Sequence, residues 1–130
     1  MPGLIDTLAA GEPSAHRLVN ARTGGEIAAH VDAAFDSESR RRGLFGREVF
    51  REGEALVIAP CEAVHTWFMR WPIDLAFVTR EGKVLSTRSG LRPWRMAMSM
   101  RAFAVIELPD GTVVRTGIQP GDTIGVRTTR

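Results

Sequence analysis

"LAFVTREGKVLSTR", residues 75–88, is the stretch on which the fold turns. Two runs rich in β-branched and aromatic residues, Leu75–Thr79 and Val84–Arg88, flank the polar segment Arg80-Glu81-Gly82-Lys83. Gly82 provides a residue that can take φ > 0 in a tight connection, so the pattern predicts an antiparallel hairpin. Working outward, short apolar runs end in turn residues roughly every ten positions, the rhythm of a β-rich domain. Before the hairpin these runs are "RLVNA", "EIAAHV", "ALVIA" and "VHTWFM"; after it they are "AFAVIEL" and "TIGVRT". "QPGD" at 119–122 places Pro120 and Gly121 at the centre of a type II turn leading into the last strand.

One segment breaks the rhythm. "DSESRRRGLFG" offers Asp36 or Ser37 as an N-cap, Glu38 in the first turn and Gly46 as a stop, which predicts a short helix over about 37–45. Many short strands with little helix point to an α+β domain, mostly β: a small curved sheet or partly closed barrel with one or two short helices. Residues 1–16 combine a weak amphipathic stretch (Leu4, Ile5, Leu8) with the breakers Gly11 and Pro13. They read as an N-terminal arm, in part disordered, ahead of a single domain over 17–130.

The 130 residues, 44% hydrophobic and 25% charged, suffice for one hydrophobic core and leave no room for a second domain. Net charge is +2, and Lys83 is the only lysine among 17 basic residues, a skew that codon usage in a GC-rich genome produces without selection for anion binding. No run approaches the length of a membrane span. Asp6 interrupts what would be the apolar core of a secretory signal, so the expected location is cytoplasmic, and a lone cysteine fits a reducing compartment.

Residues 61–74, "CEAVHTWFMRWPID", concentrate the reactive side chains. Cys61 with His65 is the pairing a nucleophilic cysteine enzyme needs. If one strand carried both, four residues would separate them by about 13 Å, beyond hydrogen-bond reach, although a loop after Pro60 would bring the thiol back. A free cysteine more commonly behaves as a small buried hydrophobe. Metal binding has weak support, because Cys61, Glu62, His65 and Asp74 match no ligand spacing, although distant His30 or His16 could complete a site.

Strand alternation over 64–69 would send Val64, Thr66 and Phe68 one way and His65, Trp67 and Met69 the other, the latter row being a candidate floor for a ligand pocket. Asp74 either caps a turn or orients His65 or a ligand. Glu107, inside the apolar "AFAVIEL", demands a partner if buried, and Arg40, Arg42 or Arg92 could supply one. Trp94, Met96, Met98 and Met100 recur with period two and would share one strand face, as core filling or as an adaptable binding surface. Arg40, Arg41 and Arg42 are consecutive, so on a helix they fan around it and make a poor nucleic-acid stripe.

Taken together, "ESRRRGLFGRE", "HTWFMRWPIDLAFVTREGKVL", "VIELPDGT" and "TGIQPGD" resemble, in order and spacing, the bacterial and archaeal family known as domain of unknown function 192, from about residue 18 onward. The family's recurring positions fall on Arg40, Gly43, Leu44, Arg47, Met69, Pro72, Asp74, Phe77, Glu107, Pro109, Gly111, Gly117, Gly121 and Asp122. The chain departs from the commonest pattern in carrying Phe68 before Met69 and Phe45 after Leu44, both conservative changes. The resemblance implies a compact β-rich α+β domain and supplies no activity, cofactor or partner.

The expectation is therefore an uncharacterised small domain that binds a small molecule or a protein without catalysing a reaction, using Arg40, His65, Trp67, Met69, Asp74 and Glu107. No metal site is expected, and the sequence identifies no cofactor. The alternatives are a thiol-dependent enzyme built on Cys61 and His65, and a structural or interaction domain whose Trp94/Met96/Met98/Met100 face becomes buried on dimerisation.

Overall fold

The computed structural model describes residues 3–12, 15–45 and 47–128. Helix α1 (Leu4–Ala9) is followed by β1 (His16–Asn20), β2 (Glu26–Ala28), β3 (His30–Ala34), helix α2 (Ser37–Arg42) and β4 (Glu54–Ile58). Then come β5 (Ala63–His65), β6 (Ile73–Val78), β7 (Val84–Leu91), β8 (Met96–Met98), β9 (Ala104–Pro109), helix α3 (Thr112–Thr116) and β10 (Ile124–Thr128). The strands form three small sheets in the orders β10-β1-β2, β3-β4-β9-β6-β7 and β5-β8. β3 and β7 are free edges of the largest sheet, so no barrel closes; the fold is α+β and mostly β.

The hairpin forms as the sequence predicts. β6 and β7 pair antiparallel, Thr79 N–H donates to Lys83 O at 2.9 Å, and Gly82 takes φ 106°. Gly82 is required for a second reason. A β-carbon there would lie 2.3 Å from the Ile124 carbonyl oxygen, because β10 packs directly over the turn. The turn over 119–122 also forms, with Gly121 at φ 94° and Asp122 N–H donating to Gln119 O at 3.1 Å.

Three elements differ from the sequence expectation. "EIAAHV" is split between two sheets: β2 joins β1, β3 runs parallel to β4, and at the break the N–H groups of Ala29 and His30 both donate to Gly53 O. The segment read as an arm contains α1, whose Leu4, Ile5 and Leu8 are buried in the core and whose first N–H groups donate to Glu81 O and Arg80 O in the hairpin turn. α3 gave little periodic signal because it is one turn long; glycines with φ > 0 bound it, Gly111 at 92° and Gly117 at 72°. Pro13 and Gly46, the expected breaker and helix stop, lie outside the described residues. α2 ends earlier, at Gly43 with φ 48°.

The five-stranded sheet is buried on both faces. Ala55, Val57, Ala76, Val78, Ala104, Ile106 and Leu108 point into one core with α1, β1 and β10. Leu56, Ile58, Ile73, Leu75, Phe77 and Val105 point into the other, beneath Leu44, Val64 and Met69. Two-sided burial explains why β6 and β9 read as nearly continuous apolar runs. A charged side chain on either strand must therefore enter one core or the other.

Candidate functional site

α2 forms because Asp36 caps it: its carboxylate accepts Ser39 N–H at 2.8 Å, and Ser39 Oγ accepts Asp36 N–H in return. The helix then carries Arg40, Arg41 and Arg42 in its last turn, where cations complement the carbonyl end. Arg40 donates from Nη1 to Phe35 O at 3.0 Å and is half-buried, whereas Arg41 and Arg42 are exposed.

Opposite α2 lies the short sheet of β5 and β8, which pairs Ala63 with Met98 and His65 with Met96. The alternation expected over 64–69 stops at His65. Thr66 is fully buried; its Oγ1 bonds Arg92 O at 2.5 Å and accepts Arg95 N–H at 2.9 Å, and its carbonyl accepts N–H groups from Met69 and Trp94. This knot ties together two turns in which Phe68 (φ 68°) and Trp94 (φ 64°) adopt left-handed backbone and their rings meet at 4.8 Å. The row His65, Trp67, Met69 is consequently not one strand face. The imidazole and indole still lie together, centroids 4.7 Å apart, while Met69 turns inward onto the second core.

Between α2, β5 and β9 is a cavity of about 240 Å³. Of the residues expected to form a site, Arg40, Cys61, His65, Trp67, Met69 and Glu107 all line it. Asp74 does not. It is completely buried on the other face of the sheet, where Oδ1 accepts Gly90 N–H and Oδ2 accepts Val113 N–H, both at 2.8 Å. It is a structural cap joining β7 and α3, the turn-capping role the sequence offered as one of its two roles.

Glu107 is 4% exposed, and no arginine reaches it. Among the described residues its carboxyl makes neither a hydrogen bond nor an ion pair. The pairing expected with Arg40, Arg42 or Arg92 is absent: Arg40 Nη1 donates to Phe35 O instead, and Arg47, whose charge favours the carboxylate form of Glu107, is paired with Asp32 at 2.7 Å. Burial raises the Glu107 pKa to about 7, outweighing the lowering effect of Arg47.

Cys61 lies in the loop before β5, not on a strand with His65. Its N–H donates to Phe103 O at 2.9 Å and its thiol to Ala63 O at 3.1 Å. Burial pushes the thiol pKa upward, the opposite of what an activated nucleophile requires. His65 stacks on Trp67, and no hydrogen bond joins it to Cys61.

Sequence reasoning missed Arg41, Leu44, Phe45 and Ile58 as cavity residues. The triple arginine is the available signal, but consecutive arginines on a helix fan around it and do not by themselves mark a cavity wall. Among the described residues no group of three or more His, Cys, Asp or Glu could hold a metal ion, and no helix is long and apolar enough to cross a membrane. Trp94, Met96, Met98 and Met100 are all exposed, Met100 at 81%. A second, more open groove of about 750 Å³ runs past the stacked pair Phe50 and Trp71 to α3.

The profile of the family described as DUF192, uncharacterized ACR, matches residues 19–126. No curated protein matches the chain. Two solved structures share its fold. One is a protein of Sinorhizobium meliloti 1021 described as a candidate transcription regulator, 25% identical with a TM-score of 0.73, the alignment covering 85% of this chain and 91% of that one. The other is a protein of unknown function from Novosphingobium aromaticivorans DSM 12444, 22% identical with a TM-score of 0.74, covering 83% and 82%.

Proposed function

The chain belongs to the DUF192 family, and from that premise we propose that it is a non-catalytic ligand-binding domain whose ligand occupies the cavity between α2, β5 and β9. The observation that carries this reading is Glu107, a buried carboxyl that lines the cavity and has no partner. Burying an unpaired ionisable group costs several kcal/mol, and a domain of this size has only about 5–15 kcal/mol of net stability. A ligand that hydrogen-bonds Glu107 supplies the missing partner. Arg40, His65, Trp67 and Met69 furnish the remaining polar and apolar contacts of a small-molecule site.

Thermal-shift screening of a metabolite panel tests this with wild type beside Glu107→Leu and Arg40→Ala. A ligand at a hundred times its Kd stabilises by about 2.7 kcal/mol, which raises Tm by about 10 °C. The expected result is a hit with wild type that Glu107→Leu loses while the variant without ligand melts no lower than wild type. Hits of equal size in all three proteins would sink the reading.

The thiol-enzyme alternative has less support, since Cys61 donates to Ala63 O and lacks an imidazole partner. Cys61 is expected to react with iodoacetamide at pH 6 more slowly than free cysteine; faster reaction would revive it. The interaction alternative draws support from one separate observation, the exposure of Trp94, Met96, Met98 and Met100. Methionine-rich surfaces repack around varied partners. Exposed Arg92, Arg95 and Arg101 flank that row, which favours an acidic partner over a second copy of the same basic face.

A further inference from the structure

The lining of the ligand cavity carries groups of opposite sign on different elements: Glu107, buried on β9, and on α2 half-buried Arg40 with exposed Arg41 and Arg42. Much of the remaining lining is apolar or aromatic: Leu44, Ile58, Val64, Trp67 and Met69. On the strands beside β9, the residues paired with Glu107 are Leu56 and Leu75, so neither offers it a charge or a hydrogen bond. The other ionisable groups on this side are Cys61 and His65, Glu62 on the exposed loop, and Arg47, which Asp32 already engages.

We propose that the cavity takes a small zwitterion with an apolar or aromatic body, of the kind represented by hydrophobic α-amino acids, its ammonium group on Glu107 and its acid group toward Arg40, Arg41 and Arg42. The inference rests on the cavity being a ligand site and adds the chemical class. Each simpler ligand leaves a mismatch, costliest at buried Glu107, where an unpaired charge is least screened. An anion would satisfy the arginines and leave Glu107 unpaired. A cation would pair with Glu107 and meet the arginine cluster. A neutral apolar molecule would satisfy neither. Only a molecule that carries both charges answers both.

Proton linkage follows from the Glu107 pKa of about 7. At pH 6 the free site holds Glu107 mostly as the neutral acid, and an ammonium group must compete with that proton. At pH 8 the carboxylate is already formed. Zwitterion affinity therefore rises up to about tenfold from pH 6 to pH 8, whereas an anion-only ligand gains nothing from the change.

Calorimetric titration of the whole chain with four matched probes tests the assignment: L-phenylalanine, 2-phenylethylamine, 3-phenylpropionate and ethylbenzene. Phenylalanine is expected to bind at least tenfold more tightly than the other three. Glu107→Gln should bring phenylalanine down to the level of 3-phenylpropionate, leave the latter unchanged and abolish the pH dependence. Arg40→Gln combined with Arg41→Gln should weaken phenylalanine and spare 2-phenylethylamine. If 3-phenylpropionate or 2-phenylethylamine binds wild type as tightly as phenylalanine, or affinity is flat from pH 6 to pH 8, the zwitterion assignment is overturned. In that event binding of any probe preserves the cavity as a ligand site. If none of the four binds, both the assignment and the cavity reading fall.

Discussion

Asp74 and Glu107 lie on adjacent strands of one sheet, one register step apart, and have opposite fates. β6 and β9 pair Asp74 with Leu108 and Leu75 with Glu107, so the two carboxylates leave the sheet on opposite faces. Both are buried, at 0% and 4% exposure. Asp74 meets two backbone N–H groups at 2.8 Å and holds β7 and α3 in place. Glu107 meets a cavity. Burial alone therefore does not mark a functional acid; what separates the two is whether the protein itself supplies the partner.

The comparison breaks most readily at Asp74. Asp74→Ala leaves the N–H groups of Gly90 and Val113 without acceptors, and at about 1–3 kcal/mol each the loss should be about 2–6 kcal/mol in urea denaturation. Asp74→Asn, which keeps an acceptor, should lose less. A loss from Asp74→Ala below about 1 kcal/mol would make the two carboxylates equivalent.

Glu107 sharpens the contrast through pH. Its pKa rises from an ordinary 4.5 to about 7 on folding, so the folded state binds the proton more tightly. The resulting stabilisation is complete below pH 4.5 and is lost as pH climbs through 7, a decline of about 3 kcal/mol. Subtracting the curve of Glu107→Gln from that of wild type isolates the decline from other carboxylates. A difference that is flat between pH 4.5 and 8 would show that the carboxyl has a partner in solution. At pH 8 Glu107→Leu should be at least as stable as wild type, because an apolar side chain carries no buried charge.

The smallest effect is expected at the exposed methionines. Met96→Ser with Met98→Ser removes side chains that touch little protein, so each change should cost less than about 0.5 kcal/mol by chemical denaturation. A loss of several kcal/mol would place that row in a core instead of on a surface.

Legibility in the sequence tracked the range of the interactions involved. The hairpin over 75–88 was readable because alternation and Gly82 specify it within fourteen residues. The N-cap Asp36 was readable for the same reason. Thr66 carried no signal, since the groups it ties together, at Arg92 and Arg95, lie 26 and 29 residues away. Without that knot the row His65, Trp67, Met69 looked like a continuous strand face. Glu107 was conspicuous as a carboxylate in an apolar run, yet whether an arginine would pair with it depended on where α2 settled.

The sequence by itself determined a β-rich α+β fold, its family and most of the polar residues that line the cavity, because composition, period-two alternation and turn chemistry act locally. Only the tertiary structure decided that Asp74 and Glu107 face opposite ways and that Arg40 turns to Phe35 O. Pairing register and the docking of a short helix are set by contacts between distant segments. Those contacts leave Glu107 beside a cavity with no protein partner.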